Sequence, residues 1–246
     1  MPSVDETSQR PSRQQAVTSS ARAMPFPISC QTKARPDLLH SPAAPREASN
    51  LRDALRLRLA PAHASIDTAF STLDLTEDGD YRIFLRAHHD ALMQMARAMQ
   101  GQPPSAGTAL LADLLTAIGT DLRELDGPPA SPTAPPPTAP LHPLAFDYIL
   151  FGSRLGNQVL AKRRVKALAA KGRTESANRY LCHPFDPRLW QSFLHQATNI
   201  PVENRQTDCI IADAERCFGW FSMALSQHVT PPTDPQHHPR AQKAPL

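Results

Sequence analysis

Three residues of this chain combine a type and a spacing that could do chemistry: His63, Gly152 and Gly156. His63 lies among Leu59, Ala62 and Ile66, apolar positions at helical spacing, so the pattern predicts that it faces inward. A neutral imidazole binds iron well, and an iron porphyrin needs an apolar wall around it. The same placement also suits a core histidine satisfied by its neighbours. Arg56, two turns earlier on the expected face, could reach a propionate carboxylate. The glycines sit four apart in Gly152-Ser-Arg-Leu-Gly156, on one face of a predicted helix. Inside a helix each costs about 1 kcal/mol relative to alanine, so something must offset it. Close helix–helix packing would do so. A flat ligand lying directly on the backbone, where any Cβ would collide, would do so too. Glycine also loosens a helix and lets it kink or open. Taken together, the histidine and the two-glycine helix describe a sandwich, with an iron ligand below and a bare backbone above.

Other common sites are missing. The chain has no GxGxxG, no Walker loop, no HExxH and no GxSxG. His88 and His89 are adjacent, so on a helix their rings point about 100° apart, a poor metal clamp. His237 and His238 lie in a proline-rich tail. Cys30, Cys182, Cys209 and Cys217 show no CxxC pair or other zinc spacing, which favours a reducing, cytoplasmic compartment over a disulfide framework. A formal net charge of +3 does not by itself imply nucleic acid, and none is expected. No membrane span is expected either, because the most apolar stretch, Leu144–Leu155, is short and carries Asp147 and Arg154. Lys162, Arg163, Arg164, Lys166, Lys171 and Arg173 form a basic run with no acidic residue in it. It reads as a solvated helix end or as a dock for an acidic partner.

The elements that must position these residues follow from proline and from apolar periodicity. Twenty of the 26 prolines fall within residues 1–50, 128–143 and 227–246. The 246-residue chain therefore reads as a disordered tail over 1–49, one helical domain over 50–227 with a proline-rich loop at 128–143, and a second tail over 228–246. The N-terminal tail lacks the apolar content to join a core. Apolar residues at 51, 55, 59, 62, 66 and 70 predict a first helix, bent or tightened at Pro61. Tyr81–Met99 and Leu110–Leu125 predict a second and a third. A fourth runs from about Leu144 to Ala170, a fifth passes through Trp190 and Phe193, and the last spans about Glu203–His228. No strand or repeat is evident. The fold expected is an all-α, single-domain bundle of six or more helices.

Several of these segments resemble the haem oxygenase family. Leu55–Asp67 (LRLRLAPAHASID) looks like its proximal helix, and Asp80–Leu92 (DYRIFLRAHHDAL) is similar to the second helix of its bacterial members. Tyr148–Arg163 (YILFGSRLGNQVLAKR) looks like the distal helix, whose mark is two glycines four apart. The resemblance continues through Trp190–Leu194 and Phe218–Leu225, keeps the family's order, and is nearest to the biliverdin-producing enzymes that accompany bacteriophytochromes.

The resemblance implies a haem sandwiched between proximal and distal helices, with His63 as the iron ligand. Arg56, Tyr148 and Phe218 would complete the haem-binding set, and Gly152, Ser153 and Gly156 the catalytic distal face. It implies oxidative cleavage of haem, which is both substrate and oxygen-activating cofactor, to biliverdin, carbon monoxide and ferrous iron. An external electron donor such as ferredoxin or its reductase would be needed, and a bacteriophytochrome would accept the bilin. Phe151 stands where the family often has a glutamate, and Asn157 where another small residue is usual. The helix of Trp190 and Leu194 lacks the family's second basic cluster. Two other functions are compatible with the residues: a haem carrier of the same fold without catalysis, and a helical interaction protein using the basic helix.

Overall fold

The computed structural model describes residues 48–125, 139–173, 177–202 and 205–229. Most of each expected tail and of the proline-rich loop lies outside these residues, as do Cys30, His237 and His238, while residues 228 and 229 belong to the last helix. Seven helices follow in order: α1 Leu51–Arg58, α2 Ala60–Phe70, α3 Asp78–Ala98, α4 Ala106–Leu125, α5 Pro143–Ala170, α6 Pro187–Thr198 and α7 Arg205–Val229. No strand occurs among the described residues, and the all-α bundle expected from periodicity is the fold observed. No described helix is long and apolar enough to cross a membrane.

Local sequence sets the helix starts. Asn50 caps α1 by accepting from the Asp53 N–H at 3.0 Å. His142 caps α5 through Nδ1, accepting from the Leu144 N–H at 3.1 Å, with Pro143 in the first turn. Asp186 does the same for α6, accepting from Arg188 N–H at 2.9 Å ahead of Pro187. The single first helix read from periodicity is divided at Leu59. Pro61 has no N–H to give to the preceding turn, so α1 ends at Arg58 and α2 restarts at Ala60. At the other end of α5, Gly172 takes the left-handed φ of 66° that glycine alone adopts cheaply. Gly172 N–H then reaches Ala169 O at 3.0 Å and Arg173 N–H reaches Leu168 O at 2.9 Å, closing the helix.

α3 is the central helix, packed against both α4 and α7; α5 packs on α7, α6 and α4, and α2 packs on α7. The inner stripe of α3 (Tyr81, Phe84, Leu85, Leu92, Met95) meets Leu111, Leu114, Ile118 and Leu122 of α4 in one core. Each such aliphatic or aromatic side chain contributes about 1.5–3 kcal/mol by leaving water. One glycine does serve close packing. At Gly107 of α4 an added Cβ would fall 2.8 Å from Phe146 Cε1 and closer still to the Asp147 carboxylate, so α5 lies directly on the backbone there.

The inner face of α5 departs from any apolar stripe. Arg154, Asn157 and Arg164 are buried alongside Phe151, Ala161 and Leu168. Arg164 stacks its guanidinium 3.9 Å above the Tyr81 ring and donates from Nε to Leu75 O at 2.8 Å. Arg173 donates to Thr76 O at 2.7 Å and to Asp78 at 2.8 Å, and Lys171 pairs with Glu77 at 2.8 Å. Half of the basic run therefore anchors the end of α5 to the 74–78 segment. Lys162, Arg163 and Lys166 are exposed.

Candidate functional site

His63 is not inward. Its side chain is 52% exposed on α2, whose only buried residue is Ile66. Position 63 lies about 40° around the helix from Leu59, at the edge of the apolar stripe rather than within it. The exposed edge is not featureless. Nδ1 lies 2.9 Å from Asp67 Oδ2, one helical turn on. A carboxylate there selects the tautomer with its proton on Nδ1, which leaves Nε2 as the lone-pair nitrogen. The ring also meets Phe218 of α7 edge-on, with centroids 5.8 Å apart. His63, Asp67 and Phe218 thus make a ligand, its orienting acceptor and an aromatic wall. Asp67 was legible as a carboxylate four residues after a histidine, although the apolar pattern gives it no prominence.

Arg56 is exposed on α1, on the other side of the break at Leu59. The expected continuous face carrying both Arg56 and His63 is therefore split between two helices.

The second group belongs to α5 and α6. Tyr148 is half-buried, and its ring lies 6.1 Å from Trp190 and 5.9 Å from Phe193. Burial raises its phenol pKa. One turn later, a Cβ on Gly152 would come no nearer than 3.9 Å to any atom outside its own turn, the rim of Trp190. A Cβ on Gly156 would meet nothing within 4 Å. Among the described residues no neighbouring helix backbone approaches either glycine, so close helix–helix packing there does not account for the pair. Gly219, beside Phe218 on α7, is open in the same way. Ser153 is partly buried, and its hydroxyl donates to Leu150 O at 2.8 Å, leaving the oxygen as an acceptor.

The direct contacts join the expected residues into two sets, His63 with Phe218 and Tyr148 with the Trp190 that edges Gly152. α7, which carries Phe218, packs against both α2 and α5.

Three other histidines are committed elsewhere. His88 is buried, with Nδ1 2.8 Å from Phe84 O among the rings of Phe70, Phe84, Tyr180 and Phe221. Burial pushes its pKa down to about 4, so it is a neutral core histidine. His89 and His228 both contact Asp90, at 3.2 and 2.8 Å. No cluster of three or more His, Cys, Asp or Glu side chains among the described residues could hold a bare metal ion. A porphyrin is different, since its own nitrogens hold the iron and the protein need supply only an axial ligand.

No protein-family model matches the chain, and no curated protein matches it either.

Proposed function

We propose that this protein is a haem oxygenase, cleaving haem with dioxygen and external electrons to biliverdin, carbon monoxide and ferrous iron. The observation that carries the reading is the glycine face of α5. Two mid-helix glycines four apart cost about 2 kcal/mol together, yet a Cβ at either would meet nothing closer than 3.9 Å. The packing of the described residues does not explain the missing side chains. A flat substrate laid on that backbone does.

The remaining residues have roles consistent with such a substrate. His63 would hold the iron through Nε2, while Asp67 accepts from Nδ1 and so would fix the ring's orientation and basicity. Phe218 contributes apolar wall beside that ligand. Tyr148 and Trp190 edge the glycine face and exclude bulk water from part of it. Ser153 keeps an acceptor oxygen on the glycine helix, and no ionised side chain stands at positions 152, 153, 155 or 156. When bound, haem supplies the oxygen-activating chemistry itself, and the protein supplies orientation. Exposed Lys162, Arg163 and Lys166 on α5 offer a cationic surface for an acidic electron donor such as ferredoxin or its reductase. The biliverdin would pass to a bilin-binding protein, a bacteriophytochrome by the sequence resemblance.

Titration with hemin followed by a reductant tests this. A Soret band saturating at one equivalent, then its loss as the green product forms, is the expected result. A stable Soret band after prolonged reduction in air would leave a haem carrier instead. Absence of any Soret band would exclude both.

A further inference from the structure

The glycine face is useful only if it is held at a fixed height, and glycine makes that harder. On the opposite side of the same helical turn lies Arg154, 0% exposed although it is a charged residue. Its Nη2 donates to three carbonyl oxygens of one turn: Tyr180 at 2.9 Å, Leu181 at 3.3 Å and His183 at 3.3 Å. Asn157, three residues on and on the same inner face, donates from Nδ2 to Tyr180 Oη at 3.1 Å. The guanidinium also lies 5.2 Å from the Tyr180 ring centre.

That turn is itself fixed from the other side. The carboxylate of Asp121, fully buried on α4, accepts from Tyr180 N–H at 2.8 Å and Arg179 N–H at 3.0 Å. Glu124 accepts from Ala177 N–H at 3.1 Å. Ala177 is held at φ 53°, a left-handed conformation that costs a residue with a Cβ about 1–2 kcal/mol. The Tyr180 ring packs on Phe84 and His88 of α3. Residues 177–183 therefore connect α3 and α4 to the back of the glycine turn.

Arg154 is a costly side chain to bury, and the cost falls on the rest of its guanidinium. Its Nε and Nη1 are buried without a hydrogen-bond partner among the described residues. A methionine would fill similar space without burying a charge, but it would leave those carbonyl oxygens unpaired. What methionine cannot do is reach three carbonyl oxygens of one turn from a single planar group.

We propose that the 177–183 turn, acting through Arg154 and Asn157, is the positioning device that sets the glycine face of α5 against its flat ligand. Arg154 is a positioning residue on this assignment: it touches no substrate. The catalytic consequence rests on the haem oxygenase reading. The mechanical one, a restrained backbone at residues 152–158, does not.

The test uses the full chain and two variants, Arg154→Met and Tyr180→Phe; the second removes only the hydroxyl that Asn157 reaches. Hydrogen exchange at amides 152–158 should speed up at least about tenfold in Arg154→Met and by less in Tyr180→Phe, with α3 amides unchanged. Hemin affinity, set by His63, should stay within about threefold of wild type, while biliverdin formed per dioxygen consumed falls several-fold. A merely structural role would raise exchange throughout and leave that ratio alone. A folded Arg154→Met protein with wild-type exchange at 152–158 overturns the proposal. If Arg154→Met does not fold, unchanged exchange in Tyr180→Phe overturns it. Failure of the wild type to form biliverdin would refute the haem oxygenase reading, and the exchange measurement would still decide the positioning role.

Discussion

Replacing Gly156 with alanine should stabilise the free protein and impair its chemistry at the same time. A Cβ at 156 meets nothing within 4 Å, so no collision offsets the gain in helix propensity. That gain is about 0.5–1 kcal/mol, from a less flexible unfolded chain and a better helix former. For a domain of this size it raises the melting temperature by about 1–4 °C. Gly152→Ala should follow, since its nearest neighbour at 3.9 Å is an ordinary contact with Trp190. Gly107→Ala is the control with the opposite sign. Its Cβ would come within 2.8 Å of Phe146, whose ring is fully buried and cannot step aside, so a loss of about 1–3 kcal/mol is expected. Urea unfolding followed by circular dichroism reads all three. Hemin turnover then reads the other half: the methyl at 156 projects into the space assigned to the haem ring, so biliverdin yield should fall, and Gly156→Leu should exclude haem or abolish turnover. If Gly156→Ala costs more than about 1 kcal/mol, the face is packed against protein and the reasoning fails. If the leucine variant forms biliverdin normally, α5 does not cover the haem.

Further outcomes can be measured alongside. His63→Ala should lose the axial ligand and with it turnover, with partial rescue by added imidazole; normal turnover would remove His63 from the site. Asp67→Ala should keep haem binding but weaken it about tenfold, because the imidazole loses the acceptor that fixes its tautomer; an unchanged affinity would mean the pair is incidental. His88 should make stability fall in acid. Its folded pKa of about 4 lies below the ordinary 6.5, so the unfolded chain takes up the proton first. Stability present above pH 6.5 is lost as pH falls toward 4, by about 2 kcal/mol between pH 7 and 5. Asp147 acts in the opposite sense over the same range, because burial raises its carboxyl to about 6 and protonation relieves that cost. The His88 contribution is therefore read as the difference between wild type and His88→Phe, which should lack that loss; parallel pH curves would show that His88 does not titrate this way.

The helices were legible wherever burial is apolar. Tyr81, Phe84, Leu85, Leu92 and Met95 on α3, or Leu110, Leu111, Leu114, Ile118 and Leu122 on α4, repeat at three and four residues and are buried as the repeat requires. α5 was legible in extent but not in orientation. Its inner face carries Arg154, Asn157 and Arg164, and hydropathy assigns such residues to solvent. They are buried because the 177–183 turn and the 74–78 segment, distant in sequence, present carbonyl groups to the two arginines and the Tyr180 hydroxyl to Asn157. The same blindness to distant partners made the basic run look free of acidic neighbours. His63 failed for a geometric reason: one position off a stripe is the difference between core and edge. The glycine pair was recognisable by type and spacing, but only the structure shows that no described neighbour packs closely on it.

The contrast between the two candidate walls has a mechanical consequence. α5 is held near its start by the His142 cap, whose backbone N–H donates to Asp213 of α7 at 2.6 Å. It is held at mid-length by Arg154 and at its end by Arg164, Lys171 and Arg173. α2 has one buried residue in eleven, begins at a proline break, and packs chiefly on α7. Few buried contacts mean a low free energy for local opening. Admission of a large planar guest should therefore proceed by α2 swinging out and carrying its imidazole with it, while the glycine surface stays put as the anvil. Amides of 60–70 should exchange far ahead of those in 143–170, and the rate of hemin capture should track the first set, not the second.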